Sequence, residues 1–170
     1  DFFNKFVYLI NTDMSKRVVF LIITIVFTLQ SFTQDIKNLQ ESFLEADYFF
    51  MYEDYADALP AYLQLYEKLP DNANLAYCIG LCYLNIPGKK NLSIDFLATA
   101  VKNISAKHKE GTITQISAPY DALYNLAKAY RVNYKFDLAK EAYNKYAGAL
   151  LLPEDRENLE FIKHEIEICD

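Results

Sequence analysis

The chain has 170 residues, 52% of them hydrophobic and 24% charged, which is the balance of a globular protein and not of a disordered or fibrous one. Its 17 Lys and Arg against 23 Asp and Glu give a net charge of −6, which argues against a phosphate backbone, and so nucleic acid, as partner. Four Gly, two His and three Cys leave little material for phosphate loops, multi-histidine metal sites or a disulfide framework, whereas 14 Tyr and 12 Phe mark a chain that packs with rings.

Met14-Ser15-Lys16-Arg17 leads into an apolar run over 18–29, interrupted only by Thr24 and Thr28, which turns polar at Gln30 and Ser31. A charged start, an apolar run of about 7–15 residues and a small-x-small exit describe a secretory signal peptide. Ser31-Phe32-Thr33 supplies the exit, and cleavage is expected between Thr33 and Gln34. A membrane anchor would need about 20 apolar residues, more than this run offers, and the absence of Cys near the exit closes the bacterial lipoprotein route. Residues 1–13 precede a much better initiator, Met14, and read as upstream translated sequence. The expected division is therefore an extension over 1–13, a leader over 14–33 and one domain over 34–170. Export would place Cys78, Cys82 and Cys169 in an oxidising compartment in odd number. Cys78 and Cys82, four apart on an expected helix, read as small core residues.

The rest of the chain is predicted to be helical over 35–52, 55–69, 72–85, 91–103, 118–133, 135–150 and 153–168. Pro70-Asp71-Asn72 ends the second helix and offers Asp71 as the cap of the third. Pro60 predicts either a start of the second helix near Asp57 or a kink, because proline is tolerated only in a helix's first turn. One unit recurs along these helices. Ala46-x-x-Phe49, then Tyr55-x-x-Ala58-x-x-x-Tyr62 and Pro70, returns as Gly80-x-x-Tyr83 with Ser93-x-x-x-Leu97, and again as Ala127-x-x-Tyr130 with Phe136-x-x-Ala139-x-x-x-Tyr143 and Pro153. Phe49 and Tyr83 lie one period of about 34 residues apart. The small residue lets the first helix of a pair approach its partner closely, and the ring three positions on fills the next turn. The second small residue opens the second helix, whose Tyr or Leu four positions later packs back against the following unit.

The interval from Tyr83 to Tyr130 exceeds the period by a loop over 103–119 holding Lys107, His108, Lys109, Gly111, Thr112 and Thr114. Loops of more than about 12 residues are often functional; as a charge run this one reads first as a solvated connector, and second as a further surface that would hold a protein partner beside the concave strip. In the last helix Leu159, Ile162, Ile166 and Cys169 share one face among acidic and basic neighbours, which suits a terminal cap on a repeat array.

No catalytic constellation, cofactor motif or metal motif emerges. His108 and His164 read as surface histidines, and His164-Glu165 lacks the second His of a helical zinc motif. What remains is a surface. The inward positions of the first helices are Phe43, Asp47, Phe50 and Met51 in copy one, Tyr77, Leu81, Leu84 and Asn85 in copy two, and Tyr124, Lys128, Arg131 and Val132 in copy three. This strip, running from acidic and aromatic to basic, is the expected site for a protein partner.

The repeating unit resembles the tetratricopeptide repeat, in copies over 39–72, 73–106 and 118–152 with a capping helix over 153–168. The resemblance implies an all-α fold of helical hairpins stacked as a short right-handed solenoid. Ala46-Asp47-Tyr48-Phe49-Phe50, Pro70-Asp71-Asn72-Ala73-Asn74, the stretch from Cys82 through Pro87-Gly88 to Lys90, and Ala118-Pro119-Tyr120-Asp121 look like the N-terminal repeat region of Bacteroidota envelope proteins. In that family the repeats precede a WD-like β-propeller and often an OmpA-like peptidoglycan-binding domain. The resemblance implies a non-enzymatic scaffold exported to the periplasm. It would bind envelope proteins, with peptidoglycan reached only through such a further domain, and would take no small-molecule substrate. The chain's end at Asp170 reads either as a fragment of such a protein or as a stand-alone adaptor. The rival expectation is a membrane-tethered subunit that keeps 18–29 as an anchor and self-associates through its repeats.

Overall fold

The computed structural model describes residues 2–150 and 156–169 and, within the leading helix, the side chains of 16–18, 20–23, 25–26 and those from 33 onward. Pro153 and the expected first turn of the last helix, 153–155, lie outside the described residues, as do the side chains of Ser31 and Phe32 at the expected leader exit. Among the described residues the chain is all-α, with one isolated parallel bridge between Ile104 and Ala118. Seven α-helices follow in order: α1 Phe2–Met51, α2 Tyr55–Lys68, α3 Ala73–Asn85, α4 Ser93–Ala100, α5 Asp121–Val132, α6 Phe136–Ala149 and α7 Arg156–Glu167.

The chain divides into two units, Asp1–Leu39 and Gln40–Asp170. The first is helical from Phe2 and presents Val18, Phe20, Leu21, Ile22, Ile23, Ile25 and Val26 with about half of their surface or more exposed. Among the described residues no helix is both long and apolar enough to cross a membrane.

The second unit holds the end of α1 and the other six helices; α2 to α7 pack in chain order, α3 also touches α5, and α1 meets α2 through Phe43, Asp47 and Phe50 against Tyr62. Its repeat positions behave alike. Ala46, Ala58, Tyr62, Leu97, Ala127, Ala139 and Tyr143 are fully buried, as are Gly80 and Ser93. At Gly80 the reason is measurable, since a Cβ there would lie 2.6 Å from Leu97 Cγ. The turns after α1 and α5 repeat bond for bond. Glu53 N–H donates to Phe50 O and Asp54 N–H to Phe49 O, while Tyr134 N–H donates to Arg131 O and Lys135 N–H to Tyr130 O. Both are Schellman motifs, and the residue that must take a left-handed conformation is Glu53 (φ 63°) in one and Tyr134 (φ 60°) in the other, where glycine is usual. Copy two turns differently, through extended Ile86 and a 3₁₀ turn over Lys90–Leu92, with Ser93 Oγ donating to Lys90 O at 2.6 Å.

Several local expectations are corrected. The cap of α3 is Asn72, whose Oδ1 accepts from Leu75 N–H at 3.0 Å, while Asp71 is exposed. The second helix begins at Tyr55, as in the expected span 55–69, and not near Asp57 as Pro60 alone suggested; Pro60 lies inside it with its ring facing solvent. The fourth helix ends at Ala100 and the fifth begins at Asp121, because the backbone of 103–105 turns aside to bond Ala118. Cys78 and Cys82 are buried core residues; burial pushes both thiols up, that of Cys82 to about 12, so neither is a reactive thiolate.

Candidate functional site

Two clefts lie along the first helices of the pairs. The first, of about 260 Å³, is lined by Phe43, Asp47, Phe50 and Met51 of α1, by Asn74, Tyr77, Cys78 and Leu81 of α3, by His108, Glu110 and Gly111 of the loop, and by Pro119 and Asp121 at the start of α5. The spacing of 43, 47, 50 and 51, and of 74, 77, 78 and 81, sets each group on one helical face. The second cleft, of about 370 Å³, shares Asp121 and adds Tyr124, Asn125, Tyr146, Asn158, Phe161 and Ile162 from α5, α6 and α7.

The loop that walls the first cleft is not the solvated connector expected. Its ends are tied by the bridge, with Ser105 N–H donating to Ala118 O and Ala118 N–H to Asn103 O, both at 2.9 Å. Its middle is held by the side-chain amides of Gln40 on α1 and Asn72 at the start of α3, and by a backbone amide of α3. Gln40 Nε2 donates to Gly111 O at 3.0 Å, and Gln40 Oε1 accepts from Ile113 N–H at 2.9 Å. Asn72, besides capping α3, donates Nδ2 to Ile113 O at 3.2 Å, and Asn74 N–H donates to Ile116 O at 3.1 Å. Ile113 is buried, so the loop has a small core of its own, in the manner of a compact Ω-loop. Gly111 takes φ +71°, a turn next to the cleft that glycine adopts freely.

His108 also departs from expectation. It is half-buried, and its Nε2–H donates to Asn74 Oδ1 at 2.8 Å. Burial holds the imidazole below its ordinary pKa, with Glu110 and Asp121 opposing the shift. His164, in contrast, is exposed, 3.9 Å from the Glu167 carboxylate. Asp47 is half-buried and accepts from Tyr62 Oη–H at 3.1 Å. Burial raises its carboxyl pKa above the usual range, the Tyr62 hydrogen bond opposes this, and the Glu110 charge adds to it. Among the described residues no group of three or more His, Cys, Asp or Glu is placed to hold a metal ion.

Of the strip anticipated from the repeat frame, Phe43, Asp47, Phe50, Met51, Tyr77 and Leu81 meet at the first cleft, although Phe43 is itself almost wholly buried. Tyr124 lines the second. Leu84 is instead a core residue beside Ile94, Leu97, Leu126 and Ala129, and Val132 packs against that cluster. Asn85 is exposed and turns its Nδ2 back to Leu81 O. Lys128 is half-buried and lines neither cleft. At the basic end of the strip Arg131 is engaged within the fold, pairing with the buried Glu165 of α7 at 3.1 Å, and Glu165 also accepts from Tyr143 Oη–H at 2.8 Å.

Sequence reasoning passed over Asn74 and Asp121 as cleft residues, and Gln40 and Asn72 as the loop's anchors, while His108 and Glu110 belong to the loop it kept as a second candidate surface. The one available signal was three Asn or Asp residues crowded at a helix start, more than one cap requires. No family model matches the sequence, and no curated protein matches it.

Proposed function

We propose that residues 40–170 are a short tetratricopeptide-type array, stacked as a right-handed solenoid, that docks protein partners without catalysing a reaction. The observation that carries the docking reading is the convergence of six expected docking residues on one cleft whose far wall is a loop fixed by side-chain amides. The recurrence of the same Schellman turn in copies one and three, and of the same buried positions in all three, supports a repeat array. Its site is the periplasmic side of a bacterial envelope, reached through the leader over 14–33, and the module serves as the docking arm of a larger OmpA-like protein. The exposed apolar side chains between 18 and 26 and the resemblance of the repeats support this setting.

The test of docking is a photo-crosslinking amino acid placed at Met51, on the cleft and exposed, and in a second strain at Tyr134, exposed on the turn after α5. Docking predicts a discrete protein adduct in the source cell from position 51 and none from 134. Equal adducts, or none from 51, would sink it. The mass of the cellular protein tests the leader: a start near Gln34 supports export by cleavage, and a retained 18–29 segment supports the membrane-tethered alternative.

A further inference from the structure

The first cleft carries a charge that the fold leaves unanswered. Asp47, Glu110 and Asp121 line it with no Lys or Arg. Among the described residues the Asp47 and Asp121 carboxylates accept only from neutral phenols, those of Tyr62 and Tyr146. Among the described residues none of the three carboxylates has a cationic partner.

The third copy shows how this chain closes the same arrangement for itself. Tyr62 and Tyr143 occupy one repeat position, both fully buried, and each donates its hydroxyl to a carboxylate, Asp47 in one case and Glu165 in the other. Glu165 is answered by Arg131 at 3.1 Å. The Schellman turns align Arg131 with Phe50, since each accepts the bond from the left-handed residue of its turn. At the position where copy three supplies a guanidinium, copy one supplies a ring, and that ring lines the open cleft.

We infer that the first cleft receives the cationic side chain of a lysine or arginine from an extended segment of a partner protein, with Asp47 and Glu110 as its counter-charges and the Phe50 and Tyr77 rings along its stem. This rests on the docking reading above and names the chemistry of what docks. The cleft's volume of about 260 Å³ falls just short of drug-sized pockets, roughly 300–1,000 Å³, so it suits one long side chain and not a folded element. A lysine or arginine stem packs on apolar and aromatic surface while its head reaches the carboxylates, and ring faces attract cations. The chain's net charge of −6 favours approach of a basic segment.

The test uses the full chain, labelled with nitrogen-15, titrated with N-acetyl-arginine amide and N-acetyl-lysine amide, with N-acetyl-norleucine amide as the uncharged control. Saturable shifts confined to amides around Asp47, Tyr77 and Gly111, given by the cationic probes alone, are expected. Asp47→Asn, which keeps an oxygen for Tyr62, should weaken binding about tenfold, the scale of one charge-assisted contact. Glu110→Gln, on the exposed loop surface, should weaken it without touching the core. Equal shifts from norleucine, shifts scattered over exposed carboxylates, or unchanged affinity in both variants would overturn the inference. A protein adduct at position 51 without a cationic titration would overturn it and leave docking intact. A localised cationic titration without an adduct would leave the cleft's preference for a cation standing but remove the docking reading, and with it the inference that a partner protein supplies the cation.

Discussion

At Gly80 the first added methyl would meet Leu97 Cγ at 2.6 Å and Cδ2 at 2.8 Å, with the Leu97 backbone N at 3.2 Å. Leu97 is fully buried, so relief requires α3 and α4 to move apart. Overpacking of this kind costs about 1–3 kcal/mol, and the gain in helix propensity returns roughly 1 kcal/mol. Gly80→Ala is therefore expected to lower unfolding free energy by up to about 2 kcal/mol in urea titration. The loss should shrink when Leu97 is also cut to Ala, because the two changes share one contact. Arg131 sits in a different balance. Its guanidinium faces a carboxylate with 9% side-chain exposure, and its Nε is buried without an acceptor among the described residues. Removing one partner of a buried pair strands the other, at about 3–5 kcal/mol. Arg131→Glu sets two acids together and should lower stability by about 3 kcal/mol, with partial recovery in the swap Arg131→Glu/Glu165→Arg. Binding lost in Arg131→Glu would thus report a loosened α7, not a missing contact to a partner.

The loop over 103–119 is the element whose behaviour departs most from its composition. Its Lys107, His108 and Lys109 suggest a solvated run, yet its backbone is claimed by Gln40, Asn72 and Asn74. Asn72 does two tasks with one amide, and they separate by substitution. Asn72→Asp keeps the oxygen that caps α3 at Leu75 but loses the donor to Ile113 O. Amide exchange at Asn74 and Ile113 should accelerate, while Leu75 stays protected. Acceleration at Leu75 as well would show that cap and loop act as one. A pH dependence follows from His108. Its folded pKa lies below the ordinary 6.5 because burial disfavours the charged ring. A base so lowered contributes its stabilisation in full above the unfolded value and loses it as pH falls through the folded one. Protection of the Asn74 amide, corrected for intrinsic exchange, should therefore decline as pH drops below 6.5, and His108→Gln should flatten that decline.

At the scale of the whole molecule, α7 closes the end of the second unit. Ile162 and Cys169 join Ala127, Ala139, Ala142 and Tyr143 in one buried cluster, with Tyr124, Tyr130, Tyr146 and Ile166 packed around it. Removing 151–170 would uncover that cluster and leave Arg131 and the Tyr143 hydroxyl without Glu165. On the repeat-array reading proposed above, α7 is the terminal cap with a polar outer face that such an array needs to remain soluble. The truncated chain should melt at lower temperature and self-associate in sedimentation, while the full chain at the same concentration does not.

The helical class and the repeat positions were legible because each is decided locally. A small residue, a ring three positions on and a second pair of small and large residues answer a steric need within one hairpin, and Ala46, Gly80 and Ala127 read alike wherever they stand. The polar contacts were not legible, for the converse reason. Periodicity places Glu165 among charged neighbours on α7, and only the packing of α7 against α5 and α6 turns it inward to Arg131 and Tyr143. Nothing in the spacing of Lys107, His108 and Lys109 announces that an amide some 70 residues away will claim Gly111 and Ile113. The sequence by itself determined the helical class and the acidic, aromatic character of the first copy, since side-chain size and spacing suffice for these. Tertiary structure alone decided which charges are answered within the fold and which stay open at the cleft, because a charge's partner depends on the element packed beside it.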